Sequence, residues 1–407
     1  MKTANMFLLC FLLILVGCSQ QREISRDQLT TPPVDEVISE QVVENETRVS
    51  ADEQRSEGPP QMNSGCEGTG KVTLTVAPMA FENIEAIVPL GMIIPPGHIT
   101  PIDHQYYYPY SWKPELRKED LVYVFAPADG VVTSIDSMPA FFSKGEDIGL
   151  GDYRFVIHHS CTLYSIYIHL HELSPKLQAM LENRKPVKVV AGEVLGTATS
   201  FDFSLHDEDV TLTGFVVPAH YEREPWKIHT VDPFDYFAPE LKAQLLEKNV
   251  RVAEPRGGKI DYDVDGKLIG NWFVENTNGY MGVKQPNYYE SHLAFAPDAY
   301  DPSAYLVGLG KDSGIEGVFV LNGPNPASID TSSGIVTYKL FPVEYVDGQG
   351  KNWDRVSFVR PVFIEKSGVA QGVLLAQVLD SRKLKLETFP GKTSAAGFTD
   401  KAVIYER

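Results

Sequence analysis

PPGHITPIDHQYYY (Pro95–Tyr108), FAPADGVV (Phe125–Val132), YSIYIHLHELS (Tyr164–Ser174) and FDFSLHDED (Phe201–Asp209) follow one another through the middle of the chain. They supply His98, Asp103, His169, His171 and His206. A histidine, an aspartate and a second histidine on separate segments meet the donor requirement of a three-ligand zinc site with an open fourth position.

The surrounding sequence, from Lys71 to about Pro233, reads mainly as strands. KVTLTV, YVFAPADGVVTSI, RFVIHH, YSIYIHL, VKVVAGEVLGTA and VTLTGFVV are short and β-branched, and Gly, Pro and Asp punctuate them. One helix is predicted where Ser174 caps, Pro175 takes the first position and Lys176 to Glu182 follow. A second, Pro239 to Lys248, sets Leu241, Leu245 and Leu246 on one face. Beyond it the chain is β-rich again. Asp265-Gly266, between alternating segments, predicts a hairpin. Strands are also expected at GVFVLNG, GIVTYKLFPVEYV, SFVRPVFIE, GVLLAQVLD and KLKLETF. His292, alone in this region, reads as a surface or packed histidine.

The amino terminus sets the compartment. A basic Lys2 precedes an apolar run from Phe7 to Val16, too short for an ordinary membrane-spanning helix, so residues 1–17 read as an export signal. Leu15-Val16-Gly17-Cys18 resembles a bacterial lipobox, which implies diacylation of Cys18 and a lipid-anchored place in the bacterial envelope. In a Gram-negative cell this would be the outer membrane or the periplasmic face. Residues 18–65 contain no aromatic residue and are rich in Gln, Glu, Ser and Thr. Such a segment buries too little apolar surface to offset its ordering entropy and is expected to be a flexible tether.

The remaining length, about 340 residues, exceeds one comfortable core. Two domains are expected, residues 66–249 and 250–407. A net charge of -18 argues against nucleic acid as a partner. Cys66 and Cys161 remain after the signal and the lipid site are set aside, and an exported location permits them to pair.

Taken together, these segments resemble the lysostaphin/LytM-type zinc metallopeptidases, the murein endopeptidases. FAPADGVV, the strand RFVIHH, Tyr167-Ile168-His169-Leu170, VVAGEVLG and the strand bearing His206 occur in that family's order, and Thr230 to Phe237 look like its closing segment. The match covers roughly residues 85–240. It implies a mainly β fold: a LytM-like β-sandwich followed by a second, C-terminal β-rich domain. It also implies zinc held by His98, Asp103 and His206, and His169 polarising the attacked carbonyl.

Three details depart from or extend that pattern. His98 and Asp103 have four residues between them, one more than the family's first motif. His104 is a possible substitute ligand, although neighbours on a strand face opposite ways. Ser204 stands where the family has a second catalytic histidine, and serine cannot accept a proton near neutral pH. Strand alternation puts Tyr167, His169 and His171 on one face, so His171 is a candidate to restore the pair. His158 and His159 lie a strand away and read as ordinary strand histidines. Tyr106, Tyr107, Tyr108, Tyr110 and Trp112 suit a groove for glycan or peptide as well as they suit packing. The resulting expectation is an envelope lipoprotein that hydrolyses peptidoglycan cross-link peptides with zinc. Two alternatives stand beside it: a non-catalytic module binding peptidoglycan or a cell-wall hydrolase, and a scaffold whose C-terminal domain carries the interaction.

Overall fold

A computed structural model describes residues 65–114, 117–138, 149–283, 287–365 and 368–407. The expected signal peptide, the Cys18 lipid site and all but the end of the tether lie outside the described residues. The described residues belong to one compact unit of the chain, Gln54–Arg407.

The fold is mainly β. Its first part contains β1 (Ile84–Val88), β2 (Gln105–Pro109), β3 (Val122–Phe125), β4 (Gly130–Ser137), β5 (Tyr153–His158) and β6 (Leu163–Leu170). These are followed by β7 (Glu172–Leu173), β8 (Val187–Val189), β9 (Val194–Ala198), β10 (Phe201–Asp207) and β11 (Thr230–Val231). The main sheet runs β1-β2-β10-β6-β5-β4-β8, with β11 on β10, and β3-β9-β7 form a smaller sheet. Val124, Leu195 and Ala198 of the small sheet share one core with Phe155, Tyr167 and Phe203 of the large one. These are the two faces of a sandwich.

Both predicted helices are present. α1 is Pro175–Asn183, and the Ser174 side chain accepts from the Leu177 N–H. α2 is Pro239–Lys248. Eight strands between Gly270 and Glu406 close into a barrel, which removes every free edge. Its interior is packed with Trp272, Phe295, Tyr338 and Leu374. A further cluster joins Ala86, Val88 and Ile93 to Ala294, Ala296 and Leu306 of the barrel wall.

Three sequence expectations fail locally. KVTLTV makes only an isolated bridge, Leu74 to Phe237. VTLTGFVV is not a strand. Its Leu212 N–H bonds the Ile228 carbonyl and its Gly214 N–H bonds Asp261, so the segment is spent on loop contacts. Asp265-Gly266 does form a turn, with Gly266 at φ 73. No strand precedes it, because the Asp263 carboxylate bonds the Asn271 and Val216 N–H groups in place of a ladder.

Candidate functional site

β10 builds the floor of the site. Phe201, Phe203 and Leu205 point into the sandwich core. Strand alternation therefore presents Asp202, Ser204 and His206 on the opposite face. On β6, Tyr164 and Ile166 share that outer face with Trp226. Tyr167 does not: it packs 5.1 Å from Phe203 and donates its hydroxyl to the Phe125 carbonyl.

The expected common face for Tyr167, His169 and His171 is thus broken, and the cause is a bulge. Tyr153 pairs with Leu170 and Phe155 with Tyr167, so β6 spends two residues, Ile168 and His169, where β5 spends one. His169 sits at φ 72, a conformation rare for a residue with a side chain. The bulge re-aims His169 onto the Asp202 face. His171 lies beyond the end of β6. Its Nδ1 faces the Gly151 carbonyl at 3.0 Å and its Nε2 the Thr199 hydroxyl at 3.2 Å. Both nitrogens are held there, and burial lowers its pKa.

The loop ahead of β2 supplies the other wall. The Ile94 and His98 backbones pair across a tight turn, and Asp103 and His104 precede the first residue of β2. Strand alternation therefore does not separate them: Asp103 Oδ1 lies 3.2 Å from His104 Nδ1. His104 Nε2 in turn lies 3.3 Å from Asp202 Oδ2. Asp202 is 3.6 Å from His169 Nε2, and His169 Nδ1 is 3.1 Å from Asp152. Acid and imidazole alternate along the whole row.

At its inner end stands Lys227, a residue that sequence reading missed. It is 3 % exposed, and its Nζ lies 3.0 Å from Asp103 Oδ2. A lysine between Trp226 and Ile228 carries no motif; its one signal is a charge inside an apolar run. Burial alone would raise the Asp103 carboxyl, but Lys227 and His104 outweigh it and hold it well below the usual range. Burial would likewise lower the Lys227 ammonium, and Asp103 and Glu224 hold it above its ordinary value instead.

Two further histidines of the site, His206 and His98, are neutral. His206 is fully buried, stacked 5.2 Å from the Tyr164 ring. Its Nδ1 faces the Trp226 carbonyl at 3.0 Å, so it carries the proton, and its Nε2 accepts from Ser204 Oγ at 2.8 Å. Burial brings its pKa down to about 4. His98 packs edge-on to His104 at 5.4 Å. Burial, then His104 and Lys227, push His98 to about 3. His169 is different. Burial opposes its charge, but Asp152 and Asp202 outweigh burial and raise its pKa.

The expected ligands His98, Asp103 and His206 therefore gather on one side of the sheet, but as arranged they present no open donor set to zinc. Asp103 is engaged by Lys227 and His104, and both nitrogens of His206 are engaged. Among the described residues no group of three or more His, Cys, Asp or Glu side chains is placed to hold a metal ion.

The face is also covered. Trp226 packs on Val156, Tyr164 and Ile166, with Arg154 5.2 Å above its ring. Of the aromatic run, Tyr107 is in the core, and Tyr106 and Tyr108 pack toward the barrel. Tyr110 is 59 % exposed. On the far side, His159 bonds Asp129 and Ser165. His292 is fully buried and bonds the Tyr280 carbonyl. Cys66 and Cys161 form a disulfide, with Cα atoms 5.1 Å apart.

No protein-family model matches the chain, and no curated protein matches it. Among solved structures it is similar to a chain of the SpoIIQ–SpoIIIAH pore-forming complex, at 13% identity and TM-score 0.26, over 41% of this chain and 92% of that one. It is similar to a zinc-containing peptidase from Vibrio cholerae at 15% identity and TM-score 0.23, over 35% of this chain and 38% of that one. Lysostaphin gives 9% identity and TM-score 0.25, over 83% and 92%. Likenesses this weak assign no activity.

Proposed function

We propose that the chain is a non-catalytic, lipid-anchored module of the bacterial envelope. In this reading a metallopeptidase-like sheet is kept as a rigid platform that binds peptidoglycan or a cell-wall hydrolase. The observation that carries it is the covered face: Trp226 lies on Tyr164 and Ile166 of the strand paired with the one that bears Ser204 and His206, and its carbonyl faces His206 Nδ1 at 3.0 Å. A hydrolase needs its reacting groups within reach of substrate and of a base. Here the residue at the position of the second base is a serine already spent on His206.

One observation favours the alternative, zinc-dependent hydrolysis of cross-link peptides. His169 keeps 24 % side-chain exposure and is oriented by Asp152, as a group stabilising a developing oxyanion would be. That reading requires the Trp226-Lys227 segment to leave the sheet.

The test is incubation of the purified protein with isolated murein, with and without added zinc. The expected result is co-sedimentation with murein or with a bound hydrolase, and no released fragments. Fragment release that disappears in His169→Ala would overturn the non-catalytic reading.

A further inference from the structure

We propose that the outer face of the small sheet β3-β9-β7 is a binding groove for a neutral glycan chain, the sugar strand of peptidoglycan and not its peptide. This deepens the non-catalytic reading and rests on it for the choice of sugar. The two sheets pack face to face, so the groove lies on the opposite side of the sandwich from Trp226.

The first support is an aromatic surface that the core does not use. β3 buries Val124 and turns Tyr123 outward. Tyr123 is 60 % exposed and lines a groove of about 560 Å³, a size that suits a small bound molecule or one stretch of a polymer. A tyrosine ring is apolar on its faces and polar at its hydroxyl tip. A pyranose ring has the matching form, apolar on its face and hydroxylated around its rim.

The second support is register. Tyr123 stands opposite Thr197 of β9, and Thr197 opposite Glu172 of β7. Three strands thus present one row: a ring, a hydroxyl and a carboxylate. The Thr197 hydroxyl donates to Glu172 Oε2 at 3.1 Å and orients it. A carboxylate accepts at both oxygens, and its hydrogen bonds are stronger than those between neutral groups. The row is also held still. The His171 N–H bonds the Thr197 carbonyl, and the Ser174 N–H bonds the Leu195 carbonyl. At Gly196 a Cβ would run into the Glu172 carbonyl oxygen, so β7 and β9 meet closely. A site already in its bound shape loses less affinity to ordering.

The third support is charge. Lys176 Nζ lies 2.8 Å from Glu193 Oε1 on the rim, and the Val190 N–H fixes the same carboxylate. That pair cancels, which leaves Glu172 as the unbalanced charge among the residues lining the groove. Phosphate and anionic lipid are disfavoured there, the more so on a chain of net charge -18. A peptide strand would take main-chain bonds from a sheet edge, whereas this groove offers side chains on a sheet face. A neutral chain of hydroxylated rings fits what is offered.

The test is calorimetric titration of the purified protein with a β-linked N-acetylglucosamine oligosaccharide, a glycan free of peptide, with Tm read for every variant. Wild type is expected to bind it. Tyr123→Ala should weaken binding about tenfold or more. Tyr123→Phe, which keeps the ring, should bind as wild type does, and Glu172→Gln should bind more weakly. Tyr110→Ala, which removes a comparably exposed tyrosine elsewhere, should change nothing. Absence of binding in wild type would overturn the proposal, as would binding indifferent to Tyr123→Ala or lost instead in Tyr110→Ala. If Tyr123→Ala is recovered unfolded, Glu172→Gln decides: unchanged binding overturns the proposal. Capture of a cell-wall hydrolase without sugar binding would remove the glycan groove and leave the proposed function standing. Release of murein fragments would remove the non-catalytic reading, and the titration would still decide the role of Tyr123.

Discussion

The Lys227 ammonium lies 4.5 Å from the centroid of the Tyr280 ring. Tyr280 belongs to a cluster with Phe215, Tyr221 and Phe273, and Phe273 is on the first barrel strand. The buried charge is thus shared between the sandwich, which supplies Asp103, and the barrel side, which supplies an aromatic face. Cation–π contacts in a desolvated setting contribute about 2 kcal/mol, enough to matter for how the two parts hold together.

Breaking the Asp103–Lys227 pair from one side should be costly. Asp103→Ala is expected to lower stability by about 3–5 kcal/mol, because the buried ammonium loses the carboxylate it contacts. Asp103→Asn combined with Lys227→Met should lose less than the two single changes added together. Urea titration of the four proteins measures this. Additive losses would mean that the two side chains do not act as a pair.

The disulfide should contribute strongly. Cys66 and Cys161 are 95 residues apart in sequence, and closing a loop of that length in the unfolded chain is worth about 4–5 kcal/mol. Cys161→Ser is expected to move the denaturation midpoint down, and reductant to do the same to wild type. A midpoint that ignores reductant would contradict this.

Acid should destabilise the fold from near neutrality. Burial lowers His159 to about 4 and His292 to about 3. Above the unfolded value of about 6.5 both states are neutral and neither group matters. Below it, the unfolded chain takes up protons that the folded chain refuses. Stability therefore falls with pH through the window down to those folded values, by up to about 1.4 kcal/mol per pH unit for each group. His292→Gln, which keeps a donor for the Tyr280 carbonyl, should show a shallower loss between about pH 7 and about pH 5. Equal slopes in the two proteins would rule His292 out as a contributor.

Gly308 is where the site loop rests on the barrel. A Cβ there would fall inside the van der Waals envelope of the Ile99 carbonyl oxygen and meet the Ile93 side chain. Gly308→Ala is expected to cost about 1–3 kcal/mol by overpacking and to displace the turn that carries His98. Thermal melting together with the NMR signals of the His98 ring would show both effects. An unchanged melt and unchanged ring signals would place the loop elsewhere.

Much of the fold was legible because its signals are local. The strands around Phe155, Ile166 and Phe203 alternate cleanly, Ser174-Pro175 opens a helix, and FAPADGVV and VVAGEVLG punctuate the sandwich. What failed depends on contacts distant in sequence. VTLTGFVV has strand composition, yet its N–H groups are claimed by Ile228, Asp261 and Asp263. The facing of His169 follows from a bulge, which alternation cannot foresee. Of the site, histidine and aspartate announce themselves as residue types, and the resemblance joined His98, Asp103 and His206 into a set. Lys227 was not, since its meaning comes from Asp103, 124 positions earlier by numbering and 3.0 Å away in space.

A cation that belongs to the polypeptide arrives with every copy of it. Its supply is fixed at translation and needs nothing from the surroundings. The charge that balances Asp103 in this part of the sheet, Lys227, is as constant as the sequence itself.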